Sequence, residues 1–211
     1  MPAVWRESVA DSGGGEMTPA PFTHFGADHW AALVVIGLVG GWAVGGLRWR
    51  PFPPLSRGVR FSLAAVLVVE LAGLHILFGL RGGFHSATDL PLHLCDVNHL
   101  LLALYLVRPR AGLFDVVYHW VLTSSTLALV FPDLALGFPD PQYFSLFFSH
   151  GLSLLILLHL VYAQGIRPSR SSPGRALVAL LVYLPLPAGV NAITGGNYLD
   201  LAELPAVPIP L

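Results

Sequence analysis

Six runs of apolar residues, each roughly 18–21 residues long, constrain this chain more than any other feature, because that length crosses about 30 Å of hydrocarbon as helix. The first covers 30–47 (WAALVVIGLVGGWAVGGL) and the second 61–80 (FSLAAVLVVELAGLHILFGL). The third runs from about 90 to 107, the fourth over 113–131, the fifth over 143–163 and the sixth over about 176–193. Composition agrees: 55% of the 211 residues are hydrophobic and 11% charged, whereas soluble domains carry about 25% charged residues. Loops between the runs are short and rich in Pro, Gly and Arg. The expected architecture is therefore an all-α, multi-pass transmembrane helical bundle of about six spans, a single domain over 30–200. Residues 1–29, Gly- and Pro-rich with no basic stretch before an apolar core, read as a flexible extracytoplasmic tail rather than a removed signal peptide. Residues 201–211 read as a short C-terminal tail, too proline-rich to cross again.

The charges give an orientation. All eleven basic residues are arginines, a usage expected of a GC-rich bacterial genome. Arg48, Arg50, Arg57 and Arg60 lie between spans one and two, Arg108 and Arg110 between three and four, and Arg167, Arg170 and Arg175 between five and six. Only Arg6 and Arg81 fall on the other side, where Asp89, Asp133 and Asp140 lie instead. The positive-inside rule then makes the arginine-rich loops cytoplasmic and puts both termini outside, in a cell (inner) membrane. Basic clusters at such loops are orientation signals, so nucleic acid is not an expected partner. One cysteine excludes an intramolecular disulfide.

Polar groups at membrane depth are costly and need a reason. The segment 89–99, DLPLHLCDVNH, holds the only cysteine, Cys95, with His93, Asp96, Asn98 and His99. On a helical wheel with Cys95 at zero, Asn98 falls near −60°, His99 near +40° and Asp96 near +100°, one broad arc. Pro91 suits a first helical turn and Asp89 the cap before it. In span two, Glu70 at the centre should face inward to a partner, with His75 about 140° away. Span four contributes Asp115, His119 and the hydroxyl run 123–126. In span five, His150 and His159 lie about 180° apart and cannot share a ligand. Gly37, Gly41 and Gly45 put a packing seam on one face of span one. Pro185 and Pro187 should kink or break span six.

A thiol beside an imidazole can form a thiolate–imidazolium pair, the reactive form of cysteine. Counted from the outer ends of their spans, Cys95 lies roughly 8 Å deep and His150 roughly 10 Å, the same level. His99, one turn from Cys95, can do the same work, and spacing does not choose between the two histidines. His85, His93, Cys95, Asp96 and His99 gather toward the outer face without any standard metal spacing, so neither metal nor other cofactor is expected.

LPLHLCD (90–96), FFSHG (147–151), the RP at 167–168 and the N–x₅–NY of 191–198 together resemble the YwaF-type family of bacterial integral membrane proteins. That family is related to the animal transmembrane protein 164, an acyltransferase building polyunsaturated ether phospholipids. The resemblance covers about residues 30–204. It implies that Cys95 is the acyl-accepting nucleophile and His150 its base. It adds His93, Asn191, Asn197 and Tyr198 to Asp96, Asn98 and His99 as supporting or substrate-binding residues; by side-chain chemistry alone, Asn98 and its neighbours on the arc are the candidates to stabilise the oxyanion. Family members usually continue past the NY motif into a seventh span, which this sequence, ending at Leu211, does not show: either the chain is truncated or six helices suffice. The function so implied is a cysteine-dependent phospholipid acyltransferase or transacylase near the outer leaflet, with membrane phospholipids as partners. The alternative is a small transporter or channel in which Glu70 and buried histidines line a polar path.

Overall fold

The computed structural model describes residues 20–49, 54–82 and 84–203. Residues 1–19 and 204–211 of the expected tails, with Arg6 and Arg50, lie outside them. The helices are α1 (Ala27–Trp49), α2 (Arg57–Gly82), α3 (Leu94–Val107), α4 (Ala111–Val130), α5 (Pro141–Tyr162), α6 (Ser172–Tyr183) and α7 (Pro185–Thr194), followed by a single 3₁₀ turn, Tyr198–Asp200. The described residues form no strand, only a bridge between Pro21 and Leu136. Stretches within α2, α4 and α5, and the 23 residues Ser172–Thr194 spanning α6 and α7, are long and apolar enough to cross a membrane. The other two expected spans appear as shorter apolar helices, within α1 and as α3, so all six expected spans are helical.

The sixth pass divides where its prolines predict. Pro185 cannot donate a backbone hydrogen bond, and α6 ends at Tyr183 with Leu184 as its C-cap. Leu184 keeps helical dihedrals (φ −50°, ψ −39°), so the two pieces remain one pass. Gly195, at φ +71°, closes α7 in the left-handed conformation that glycine adopts without a Cβ penalty.

The third pass departs from expectation. Pro91 is not in a first helical turn, and Asp89 does not cap α3. The helix begins at Leu94, with His93 at the N-cap position and the Asp96 carboxylate accepting from the His93 N–H at 3.2 Å. Asp89 instead closes the preceding loop, accepting from His85 N–H (2.8 Å) and Thr88 Oγ1 (2.7 Å). Leu90–Leu92 stay non-helical because distant side chains satisfy their backbone. Tyr198 Oη accepts from Leu90 N–H at 2.9 Å, and Tyr183 Oη donates to the Leu92 carbonyl at 2.8 Å. Non-helical backbone inside a membrane protein survives only with such partners.

Helix α4 is central, packing on α3, α5 and α6; α2 packs on α3 and α1 on α5, while α5 touches α2 and α3 only lightly. Toward the arginine-rich loops the interior is apolar, built on Leu67, Leu102, Leu106, Val117, Val121, Leu157 and Leu160. Lipid is as apolar as leucine, so close packing and polar ties hold the helices together rather than transfer from water. Two ties close this end. Arg60 Nε donates to the Leu106 carbonyl at 2.7 Å, satisfying one of the last carbonyls of α3. The buried Asp115 carboxylate accepts from Ser169 N–H and Oγ (both 2.7 Å) and from Arg175 Nη1 (2.6 Å), joining α4 to the start of α6.

At the other end, residues 20–22 pair with 135–137: Phe22 N–H donates to the Ala135 carbonyl (3.0 Å) and Gly137 N–H to that of Ala20 (2.8 Å). Fully buried His29 locks this strap, taking a hydrogen bond from Phe25 N–H (2.9 Å) and giving one to the Leu129 carbonyl (2.8 Å).

The glycine seam on span one is not where the spacing put it. A Cβ at Gly37 or Gly41 would meet open space, and the surroundings of Gly45 lie outside the described residues. The close approaches are at Gly40, 3.3 Å from a Leu155 methyl, and at Gly151 of α5, 3.1 Å from Ile36. As an outer helix, α1 turns one face to α5 and the rest to lipid.

Candidate functional site

Three helices and the loop before α5 line a half-open cavity of about 170 Å³, whose wall is mainly apolar with a set of ionisable and hydroxyl groups on it. From α3 come Cys95, Asp96 and His99; from α5 come Ser145, Ser149 and His150; from α2 comes Glu70. Asp133 and Gln142 stand on its wall from the loop side, and Leu71, Leu74, Leu134 and Leu146 supply apolar wall. Beyond it, one turn past His99, the apolar core begins at Leu102.

The helices aim these groups for local reasons. Asp140 caps α5 by accepting from the Gln142 N–H at 2.8 Å, with Pro141 at the first position, where its missing N–H costs nothing. From that start, Gln142, Ser145, Ser149 and His150 follow at helical intervals down one side of α5. Cys95 is the second residue of α3, half-buried, with a free thiol.

His150 has a defined tautomer. Its Nδ1 lies 2.9 Å from the Leu146 carbonyl, four residues back on α5, and 3.3 Å from Ser149 Oγ. A carbonyl only accepts, so Nδ1 carries the hydrogen and neutral Nε2 carries the lone pair. That Nε2 is buried and has no hydrogen-bond partner among the described residues. The His99 ring meets it edge to face, centroids 5.3 Å apart, with its own Nδ1 likewise buried and unpartnered. Glu70 accepts a hydrogen bond from the Ser145 hydroxyl, so the inward-facing carboxylate that span two implied does find its partner across the cavity.

The cavity therefore unites five groups: Cys95, Asp96, His99, His150 and Glu70. The other expected residues lie elsewhere. Asn98 points the opposite way, to α4, its Nδ2 donating to the Trp120 carbonyl at 3.2 Å and to Ser124 Oγ. Asn98 is not among the residues lining the cavity, and both its amide hydrogens are engaged on α4. His93 packs against the Tyr198 ring at 5.1 Å between centroids. Asn191 holds Tyr198, accepting from its N–H (2.8 Å) and donating to its carbonyl (3.0 Å). Tyr198 Oη donates to the Ser86 carbonyl (2.9 Å) while accepting from Leu90. Asn197 Oδ1 accepts from the Ala202 and Glu203 N–H groups (2.9 and 3.1 Å). A Cβ at Gly196 would collide with the Ala87 carbonyl, so only glycine lets this turn come so close. The late motif is thus a clasp on the loop that leads into α3 and its cysteine.

Ser145, Ser149, Gln142 and Asp133 were not among the residues expected here. Ser149 stands inside the FFSHG motif, beside His150; for Ser145 the four-residue spacing to Ser149 was the available signal. Among the described residues no three His, Cys, Asp or Glu side chains come together as metal ligands.

No curated protein and no solved structure matches the chain. The model of the TMEM164 family matches residues 24–211, from the strap before α1 to the last residue. By that match, over nearly its whole length, the chain belongs to the TMEM164 family, a family of membrane proteins.

Proposed function

We propose that this membrane protein is a cysteine-dependent phospholipid acyltransferase, with Cys95 as nucleophile and His150 as base. The observation that carries the reading is the single cavity shared by Cys95 and His150, together with the His150 tautomer: Nδ1 tied to its own helix, Nε2 bearing a lone pair and no partner. A base must offer an unprotonated nitrogen to the nucleophile's proton, and that atom is the one left open. His99 would pack against the base and hold its ring plane. The arginine distribution supports a topology with the cavity at the outer leaflet, near the level of lipid esters.

In the first half-reaction, His150 Nε2 takes the Cys95 proton and the thiolate attacks an acyl ester carbonyl. The tetrahedral adduct collapses, the lysolipid oxygen leaves with the proton from His150, and a thioester remains on Cys95. In the second, a lysophospholipid hydroxyl gives its proton to Nε2 and attacks the thioester. The Cys95 sulfur leaves and regains that proton. Atoms and charge balance over the cycle with no cofactor.

The transport alternative needs a polar path through the bundle. Glu70 and two histidines do line the cavity, but its remaining wall includes Leu71, Leu74, Leu134 and Leu146, and one turn past His99 the bundle is a packed apolar core of Leu67, Leu102, Leu106 and Leu157. That interior favours a pocket over a conduit.

The test is transacylation between a phospholipid carrying a deuterated acyl chain and a lysophospholipid acceptor, in vesicles containing the protein. Label should move to the acceptor, and Cys95→Ala should stop it. Absence of transfer, or transfer indifferent to Cys95→Ala, would sink the proposal.

A further inference from the structure

A second hollow, of about 240 Å³, adjoins the first on the face between α2 and α5. The two share Glu70, Leu74 and Ser145, so the Ser145–Glu70 hydrogen bond stands at their junction. Beyond that junction the lining is apolar: Leu77, Phe144 and Phe148, with Gly73 between them. Phe144 and Phe148 are 50% and 52% exposed on α5, a helix of membrane-crossing length, a position that lipid covers. The hollow exists because α2 packs closely on α3 and only lightly on α5, and because Gly73 has no side chain; a Cβ there would meet nothing within 4 Å.

We propose that this groove receives the acyl chain of a membrane glycerolipid sideways from the bilayer, and that Gly73 keeps it open. The inference rests on the acyl-transfer reading for its chemistry. The occupant follows from continuity: the groove is apolar where it opens, faces lipid, and leads past one carboxylate and one hydroxyl to the thiol. A polar substrate would meet no partner along Leu77, Phe144 and Phe148. An acyl chain would lie along them and leave its ester carbonyl at the polar end, beside Cys95 and His150. Gly73 then limits chain bulk, and Glu70 with Ser145 forms the threshold between chain and headgroup chemistry.

The experiment compares alkylation of Cys95 by iodoacetamide and by N-hexadecyl iodoacetamide, with the full chain in lipid nanodiscs. Gly73→Leu fills the groove. Gly79→Leu, on the same helix and also opening on free space, is the control outside it. Leucine is the better helix former at both sites, so neither change weakens α2. The unsubstituted protein should react with the hexadecyl reagent. Gly73→Leu should slow that reagent about tenfold relative to Gly79→Leu while leaving the small reagent unaffected. No hexadecyl labelling, equal hexadecyl rates in the two variants, or equal slowing of both reagents by Gly73→Leu would each overturn the proposal. Alkylation needs no turnover, so failure of the acyl-transfer reading would show separately, as absent transacylation with the alkylation pattern intact.

Discussion

Replacing Tyr198 with Phe removes one oxygen and tests whether the late motif holds the approach to Cys95. Tyr198 is fully buried, and its hydroxyl both accepts from the Leu90 N–H and donates to the Ser86 carbonyl, each at 2.9 Å. The ring would stay in place, so the loss is confined to those two bonds. Leu90 N–H, half-buried, would be left without a partner, at about 1–2 kcal/mol, while the exposed Ser86 carbonyl would turn to water at little cost. The expected destabilisation is about 1–2 kcal/mol, a fall in Tm of about 2–8 °C for a chain of this length. Asn197→Ala is the comparison, because its partners, Ala202 and Glu203, are exposed, and about 0.5 kcal/mol or less should be lost. Burial pushes the Tyr198 phenol up from its ordinary value. The neutral form is thus favoured by folding, its contribution is complete below about pH 10, and it fades only above that. Thermal unfolding in mild detergent, read by tryptophan fluorescence at neutral pH, gives both shifts. An unchanged Tm for Tyr198→Phe, or equal shifts for the two variants, would refute the clasp.

Asp115→Ala should cost about 2–3 kcal/mol, since it strips two bonds from Ser169 and one from Arg175, whereas Arg175→Ala should cost about 1 kcal/mol or less, its side chain being half-exposed; denaturation midpoints would separate them. Gly151→Ala should destabilise by about 1–3 kcal/mol because Ile36 must give way, while Gly37→Ala should be neutral or stabilising by up to about 1 kcal/mol. Equal midpoints for the two glycine variants would contradict the close approach of α1 and α5. His150→Ala should slow acylation of Cys95 by about 10²–10⁴-fold with folding intact, read as the rate of lipid release in a single turnover.

The passes were legible because hydropathy over some twenty residues integrates many weak signals, and even the break before Pro185 needs only proline's missing N–H. What sequence could not convey is direction. The arc from Asn98 to Asp96 is wide enough to face two neighbours, so Asn98 turned to α4 while Cys95, Asp96 and His99 turned to α2 and α5. The glycine row on α1 failed for a related cause. A repeat marks a face without saying whether a helix or lipid lies against it. Pro91 was misread because the groups that keep Leu90 and Leu92 out of a helix, Tyr198 and Tyr183, sit about a hundred residues away. Cys95 and His150 stood out as ionisable groups in apolar runs, and so did Glu70. Ser145 and Gln142 carried no such mark.

The central claim is that Cys95 carries an acyl group during turnover. Intact-protein mass spectrometry of the protein incubated with a single phospholipid species, and no lysolipid acceptor, tests it most directly. The account predicts an adduct of one acyl chain's mass on Cys95, labile to hydroxylamine, absent from Cys95→Ala and discharged on adding lysophospholipid. Transacylation proceeding with no such adduct, or an adduct that persists in Cys95→Ala, would contradict it.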